Sequence, residues 1–347
     1  MIVLSGAALV LPDRMLTPGT LVVDGSRIAD VRPGTVSGPV AGSHAPPPLA
    51  FHGHYIVPGF IDVHVHGVDG VDALDAGEAI ASIAAKLPRY GVTAFCPTTV
   101  ACAPDALRGV LEQVRRARAT PAALAARVLP AHLESNFINP EFHGAQPLRC
   151  LRSPRAALAV CPDEGGHHGP AKAGHYVPTR DRDEEFAAAD LLREIERAAS
   201  DVGIVTLAPE LDGGIDLIRW LSSRGHHVSL GHSGATYDQA LEAIAAGARA
   251  SLGGQPITAG ESVAFLDDGT MAGSVLTMDR AFQILVGKIG VSLVDAVAVC
   301  STTPARELGL VGHGVIAADA IADLVVLDAQ LTVVQTYVAG QLAYSRT

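Results

Sequence analysis

Short apolar runs broken by turn residues open the chain. Residues 8–11, 21–23 and 28–31 are such runs, with Asp24-Gly25 between the last two, and they predict a small β-meander. The tail repeats the idiom at 322–327 and 333–338 before a turn at Gly340. Between these ends the pattern changes to alternating strands and helices. Strands are predicted over 59–66, 92–99, 127–134, 202–209 and 227–232, and helices over 76–90, 104–119, 183–199, 214–224 and 236–246. Five consecutive βα units predict a parallel sheet, most simply a (β/α) barrel of the TIM type. The expected division is a discontinuous β-domain from 1–55 and 310–347 around a barrel at 56–309.

The rhythm then fails. A full barrel needs three more units of roughly 30 residues each. Only 249–276 precede the next helix, expected over 277–287, with one strand fitting at 250–253 and a strand and turn at 262–270. The barrel is therefore expected to be incomplete, short of about two βα units or about 60 residues. Its open wall would expose strand edges that a homo-oligomer, a dimer, could cover.

Composition narrows the classes. The 347 residues carry a formal charge of −11 and no block rich in Lys or Arg, against a nucleic-acid or anionic-membrane surface. No run of 18 apolar residues occurs, so no membrane span is expected. The start reads as a strand and not as a signal peptide. The five cysteines are scattered without a C-x-x-C pair, which fits reduced thiols in a cytoplasmic protein.

The strongest chemical signal is Gly59-Phe-Ile-Asp-Val-His64-Val-His66-Gly67. Residues two apart on a strand share a face, so His64 and His66 are expected side by side at the barrel mouth, where paired imidazoles suit a divalent ion. The alternative is a hydrogen-bonded pair of core histidines. Glu134 and His232 stand at the ends of the third and fifth predicted strands, where each could ligate the same ion. Separately, each would more often be a surface carboxylate and a satisfied core histidine. His167, His168 and His175 sit among Gly and Pro in a long excursion at 135–182, read as a solvated loop in preference to a second metal site. His226-His227 precedes its strand and is read as structural.

These residues carry a resemblance that spans nearly the whole chain. Its motifs are Pro58-Gly-Phe-Ile-Asp-Val-His-Val-His-Gly67, Gly91-Val-Thr-Ala-Phe-Cys-Pro-Thr-Thr99, His132-Leu-Glu134, Thr206-Leu-Ala-Pro-Glu210, Gly231-His-Ser-Gly-Ala-Thr236, Gly269-Thr-Met-Ala-Gly-Ser274 and Thr302-Thr-Pro-Ala-Arg306. Together they resemble the N-acetylglucosamine-6-phosphate deacetylases of the amidohydrolase superfamily. The resemblance implies a barrel with a β-sandwich from both termini, and a divalent metal: zinc first, with manganese, iron or cobalt as alternatives. It implies a small amino-sugar phosphate as substrate, with acetate and glucosamine 6-phosphate as products. Glu134 and His232 match the primary metal ligands, and His64 with His66 match ligands of two-metal members. Ala145-Gln146 match the loop that contacts the sugar, where many members have His at 146. Met271-Ala272-Gly273 match a pocket-lining segment.

The chain also departs from that pattern. The sixth-strand His-Leu-Phe-Asn-Ala-Met element, the seventh-strand phosphate-contacting histidine and the eighth-strand catalytic aspartate have no counterpart after Gly247-Ala-Arg-Ala-Ser-Leu-Gly-Gly254. Asp267 and Asp268 align with a turn and are not expected to replace that aspartate. The catalytic acid/base is thus unassigned. Impaired deacetylation, hydrolysis of another N-acyl sugar or C–N bond, and an inactive amidohydrolase-like protein all stay open.

Overall fold

The structure, a computed structural model, describes residues 1–38, 47–159, 186–249, 263–265, 271–274 and 276–346. Both termini build one mixed sheet. Strands β1 (Ile2–Val10), β2 (Met15–Asp24) and β3 (Arg27–Pro33) form the antiparallel meander. Strand β4 (Tyr55–Pro58) runs parallel to β1 and pairs on its other side with Leu324–Leu327 from the tail. Val333–Val338 and Gln341–Ser345 complete that edge.

The expected sandwich is therefore a single sheet that curls back on itself. Its edge strand β3 meets the segment that leads into Leu324–Leu327, where Ile28 N–H donates to Ala320 O at 2.9 Å and Ala322 N–H to Ser26 O at 2.9 Å. The curl encloses Leu4, Leu21, Ile28, Ile56, Leu324 and Tyr337. This sheet includes Tyr55–Pro58, past the boundary expected at 55, because β4 links β1 to the tail strand.

The middle of the chain builds a parallel sheet. Its strands are β5 (Phe60–Val65), β6 (Val92–Thr99), β7 (Ala131–Glu134), β8 (Val202–Leu207), β9 (His227–Leu230) and β10 (Ala248–Arg249). They follow one another in chain order. β6 is buried at every position, as a strand covered on both faces must be. Gly59 lets the chain pass close at the start of β5, since a Cβ there would lie 2.1 Å from Thr93 Oγ1.

The strand expected over 127–134 is interrupted at Leu129-Pro130. Arg127–Val128 pairs with the start of β6 and β7 with its end, because Pro130 has no N–H to give to a ladder. Among the described residues the parallel sheet ends at β10. The strand expected at 250–253 lies outside them. Val263–Phe265 and Met271–Ser274 form an antiparallel hairpin apart from both large sheets.

Helices α1 (Ala79–Lys86), α2 (Pro104–Ala119), α3 (Ala188–Arg197), α4 (Gly214–Ser223) and α5 (Tyr237–Ala245) connect successive strands. α2 starts at proline, has Asp105 in its first turn and Arg116 and Arg118 in its last, which suits the helix dipole. It buries Leu107, Val110, Leu111 and Val114, one stripe at helical spacing. α5 begins with Thr236 and Gln239 satisfying each other's backbone N–H. Further along, helix Met278–Ile284 returns behind β5, where the Phe60 and Phe282 ring centroids lie 5.1 Å apart.

Candidate metal centre

The C-terminal ends of β5 and β7 and the turn after β9 converge on one carboxylate. His64 Nε2 and His66 Nε2 lie 3.1 Å apart. Glu134 Oε2 is 3.3 Å from His66 Nε2, and Glu134 Oε1 is 3.9 Å from His64 Nε2. His64, His66 and Glu134 offer ligand atoms that all lie within 4.8 Å of one another. His232 Nε2 approaches Glu134 Oε1 at 3.0 Å, so it joins the group through the carboxylate.

His232 was expected at the end of its strand. It lies beyond β9, with φ +49°, in a region that costs a non-glycine residue about 1–3 kcal/mol. Surrounding contacts hold it there. Its Nδ1 pairs with Phe142 O at 2.8 Å, and its own carbonyl accepts from Asn139 N–H at 3.0 Å. Glu210 fastens the two segments, accepting from Asn139 Nδ2 (2.9 Å), Ser233 Oγ (2.7 Å) and Gly234 N–H (2.6 Å).

The donor set fits a cation. His66 Nδ1 faces Thr98 O at 3.2 Å and His232 Nδ1 faces Phe142 O. A carbonyl accepts, so each Nδ1 carries the hydrogen, and a neutral ring then points a bare Nε2 lone pair at Glu134. Two lone pairs facing a carboxylate require a proton or a metal ion between them. Burial works against charge on Glu134, but hydrogen bonds from His232 and His66 outweigh it and hold the carboxyl well below its ordinary range. The same bond to Glu134 raises His232 above the ordinary histidine value, against its burial. Burial lowers His64.

Two residues named only within motifs turn out to frame the site. One is Glu210. The other is His132, buried, with Nδ1 donating to Val63 O at 2.8 Å and Nε2 accepting from Thr206 Oγ1 at 2.7 Å. Its ring stands edge-on to His64 with centroids 4.9 Å apart, and burial lowers its pKa to about 4. A polar position inside an apolar strand was the available signal for His132, whereas Glu210 lies half-buried in the turn beyond β8 and carries no such signal.

Gln146 is buried and donates from Nε2 to Glu134 Oε2, and Ala145 beside it is half-buried. Met271, Ala272 and Gly273 lie on the second strand of the separate hairpin. His167, His168, His175, Asp267 and Asp268 lie outside the described residues. His226, read as structural, is buried with Nδ1 on Val202 O at 3.0 Å.

The sequence model of the amidohydrolase family matches residues 55–250 and 171–343. The chain belongs to this family. An N-acetylglucosamine-6-phosphate deacetylase of Danio rerio is 28% identical over 374 aligned positions, covering 84% of this amidohydrolase and 85% of the relative. The Homo sapiens protein of the same name is 28% identical over 375, covering 84% of each. An N-acetylgalactosamine-6-phosphate deacetylase of Escherichia coli O157:H7 is 25% identical, covering 83% and 87%. Among solved structures, the N-acetylglucosamine-6-phosphate deacetylase of Pasteurella multocida aligns with TM-score 0.79 at 17% identity, over 99% of this chain and 100% of that one. The N-acetyl-D-glucosamine-6-phosphate deacetylase of Mycobacterium smegmatis gives 0.74 at 23% identity, over 99% and 100%.

Proposed function

We propose that this amidohydrolase removes the acetyl group of N-acetylglucosamine 6-phosphate, with a divalent cation held by His64, His66, Glu134 and His232. The observation that carries the reading is the convergence of three imidazoles on Glu134 at the C-terminal ends of parallel strands, where barrel enzymes place their chemistry. Full-length relatives that bear the deacetylase name give the substrate class. Zinc suits three nitrogens and a carboxylate best, with manganese, iron or cobalt as alternatives. Bound there, the ion would polarise the acetamide carbonyl and acidify a water. Glu134 anchors the site, His66 and His232 are fixed in the ligating tautomer by Thr98 O and Phe142 O, and His132 packs His64 in place. Substrate contacts are assigned to Ala145 and to Met271, Ala272 and Gly273.

The reading includes a shortened barrel and impaired turnover. The Danio rerio alignment runs 374 positions, more than this whole chain, while it takes in 84% of it. The relative thus supplies residues inside the matched span that have no partner here. Placed where the strand rhythm fails after Arg249, that shortfall would take in the eighth-strand aspartate, and a missing general acid/base costs typically about 10²–10⁴-fold in rate. Among the described residues the parallel sheet ends at β10, an edge whose covering by a second copy supports a dimer. Buried thiols at Cys96 and Cys300 support a reducing cytoplasm.

Acetate release from N-acetylglucosamine 6-phosphate by pure protein with added zinc, manganese or cobalt tests the reading. Severely reduced turnover that vanishes in Glu134→Ala is expected. No turnover by a zinc-loaded chain points to an inactive amidohydrolase. Robust turnover means that an acid/base is present, and Asp267 and Asp268 become the residues to change.

A further inference from the structure

We propose that Gln146 is a positioning residue that sets how Glu134 presents its oxygens to the ion, in place of the sugar contact that its motif position implies. The inference rests on the metal-site reading above.

The carboxamide is committed at both ends. Its Oε1 accepts from Ala101 N–H at 2.7 Å, and its Nε2 donates to Glu134 Oε2. One partner is a backbone N–H that can only donate, and the other a carboxylate that can only accept. A flipped amide would set oxygen against oxygen and N–H against N–H, so the orientation is determined by the chemistry of the partners. The side chain is 5% exposed, which leaves little room for water to take over either bond. The backbone is fixed as well. Gln146 N–H donates to His143 O at 3.0 Å, and Gln146 O pairs with His143 Nδ1 at 3.0 Å.

The two oxygens of Glu134 consequently differ. Oε2 is shared by the Gln146 amide and His66, while Oε1 faces His232 and the more distant His64. The amide holds Oε2, so the carboxylate cannot rotate, and Oε1 is turned toward the side where His232 would complete the ion's shell. Both polar atoms of the Gln146 amide are engaged by protein partners, and its burial sets it back from a sugar hydroxyl.

The test is zinc binding by the full chain, read with a competing chromophoric chelator. Gln146→Met keeps the length of the side chain and removes both bonds. Zinc affinity is expected to fall about 10–100-fold, the usual cost of losing a group that orients a metal ligand. The same substitution in a Glu134→Ala background is expected to change affinity less than about threefold, because Gln146 acts through Glu134. A general packing role would not produce that coupling. Circular dichroism and thermal unfolding without metal check the fold. Should Gln146→Met fail to fold, Gln146→Asn keeps a polar amide one methylene short of spanning both partners, and the same loss is expected. Wild-type affinity in Gln146→Met, or an undiminished loss in the Glu134→Ala background, overturns the inference and leaves the metal site standing. A wild-type chain that binds no zinc overturns both.

Discussion

His232 Nε2 lies 3.0 Å from Glu134 Oε1 while its Nδ1 is bound to Phe142 O at 2.8 Å. The ring is thus protonated at Nδ1, and whatever occupies the gap to Glu134 sits on Nε2. In metal-free protein the Glu134 carboxylate favours a second proton there, and the contact raises His232 above the ordinary histidine value.

Zinc must displace that proton to ligate His232. A raised folded-state pKa contributes stability that is complete below the unfolded value near 6.5 and is lost as pH rises through the folded value. Zinc affinity is accordingly expected to climb from pH 6 to pH 8, with proton release on binding near neutrality. Calorimetric titration in two buffers of different ionisation enthalpy measures it. Identical heats in both buffers count against the His232 assignment.

The helix at Met278–Ile284 closes the sequence onto the back of the first parallel strand through Phe282 and Phe60. Phe282 is fully buried. Phe282→Ala should destabilise the chain by about 3–5 kcal/mol, the usual range for emptying a large aromatic site. The urea midpoint checks this, and a shift within error of zero would mean that the helix does not dock there.

Burial pushes the thiols of Cys96 and Cys300 up to about 12. Their thiolate fraction is negligible at pH 8 in the folded state and substantial once unfolding restores ordinary values. Both should resist iodoacetamide in native protein and react in guanidinium, as read by mass spectrometry. Labelling of either in the native state would contradict their burial.

Where the hydrophobic period was unambiguous, the sequence led directly to the element. Val92–Thr99 and Pro104–Ala119 have the bounds expected of them, because a strand buried on both faces and a proline-started amphipathic helix leave little choice. The helix expected over 76–90 is shorter, with its last turn tightened to a 3₁₀ turn at Leu87–Tyr90 around Pro88. Pairing of His64 with His66 followed from strand alternation alone.

Other features depended on contacts distant in sequence. Nothing local to His232 says that it leaves the strand for a left-handed conformation, which Phe142 and Asn139 hold from about 90 residues away. The twofold commitment of Gln146 needs Ala101 and Glu134 brought together by two different strands. Polar residues of this kind have no period to read. The β-domain was legible as strands, but its closure into one curled sheet depends on β4 joining the two termini.

The central claim is that His64, His66, Glu134 and His232 form one metal centre. Elemental analysis of protein purified with zinc, then freed of loosely bound metal, tests it most directly. About one zinc per chain is expected in the wild type, and near none in a His64→Ala, His66→Ala, Glu134→Ala triple variant of unchanged circular dichroism. Equal stoichiometry in the two proteins would contradict the account.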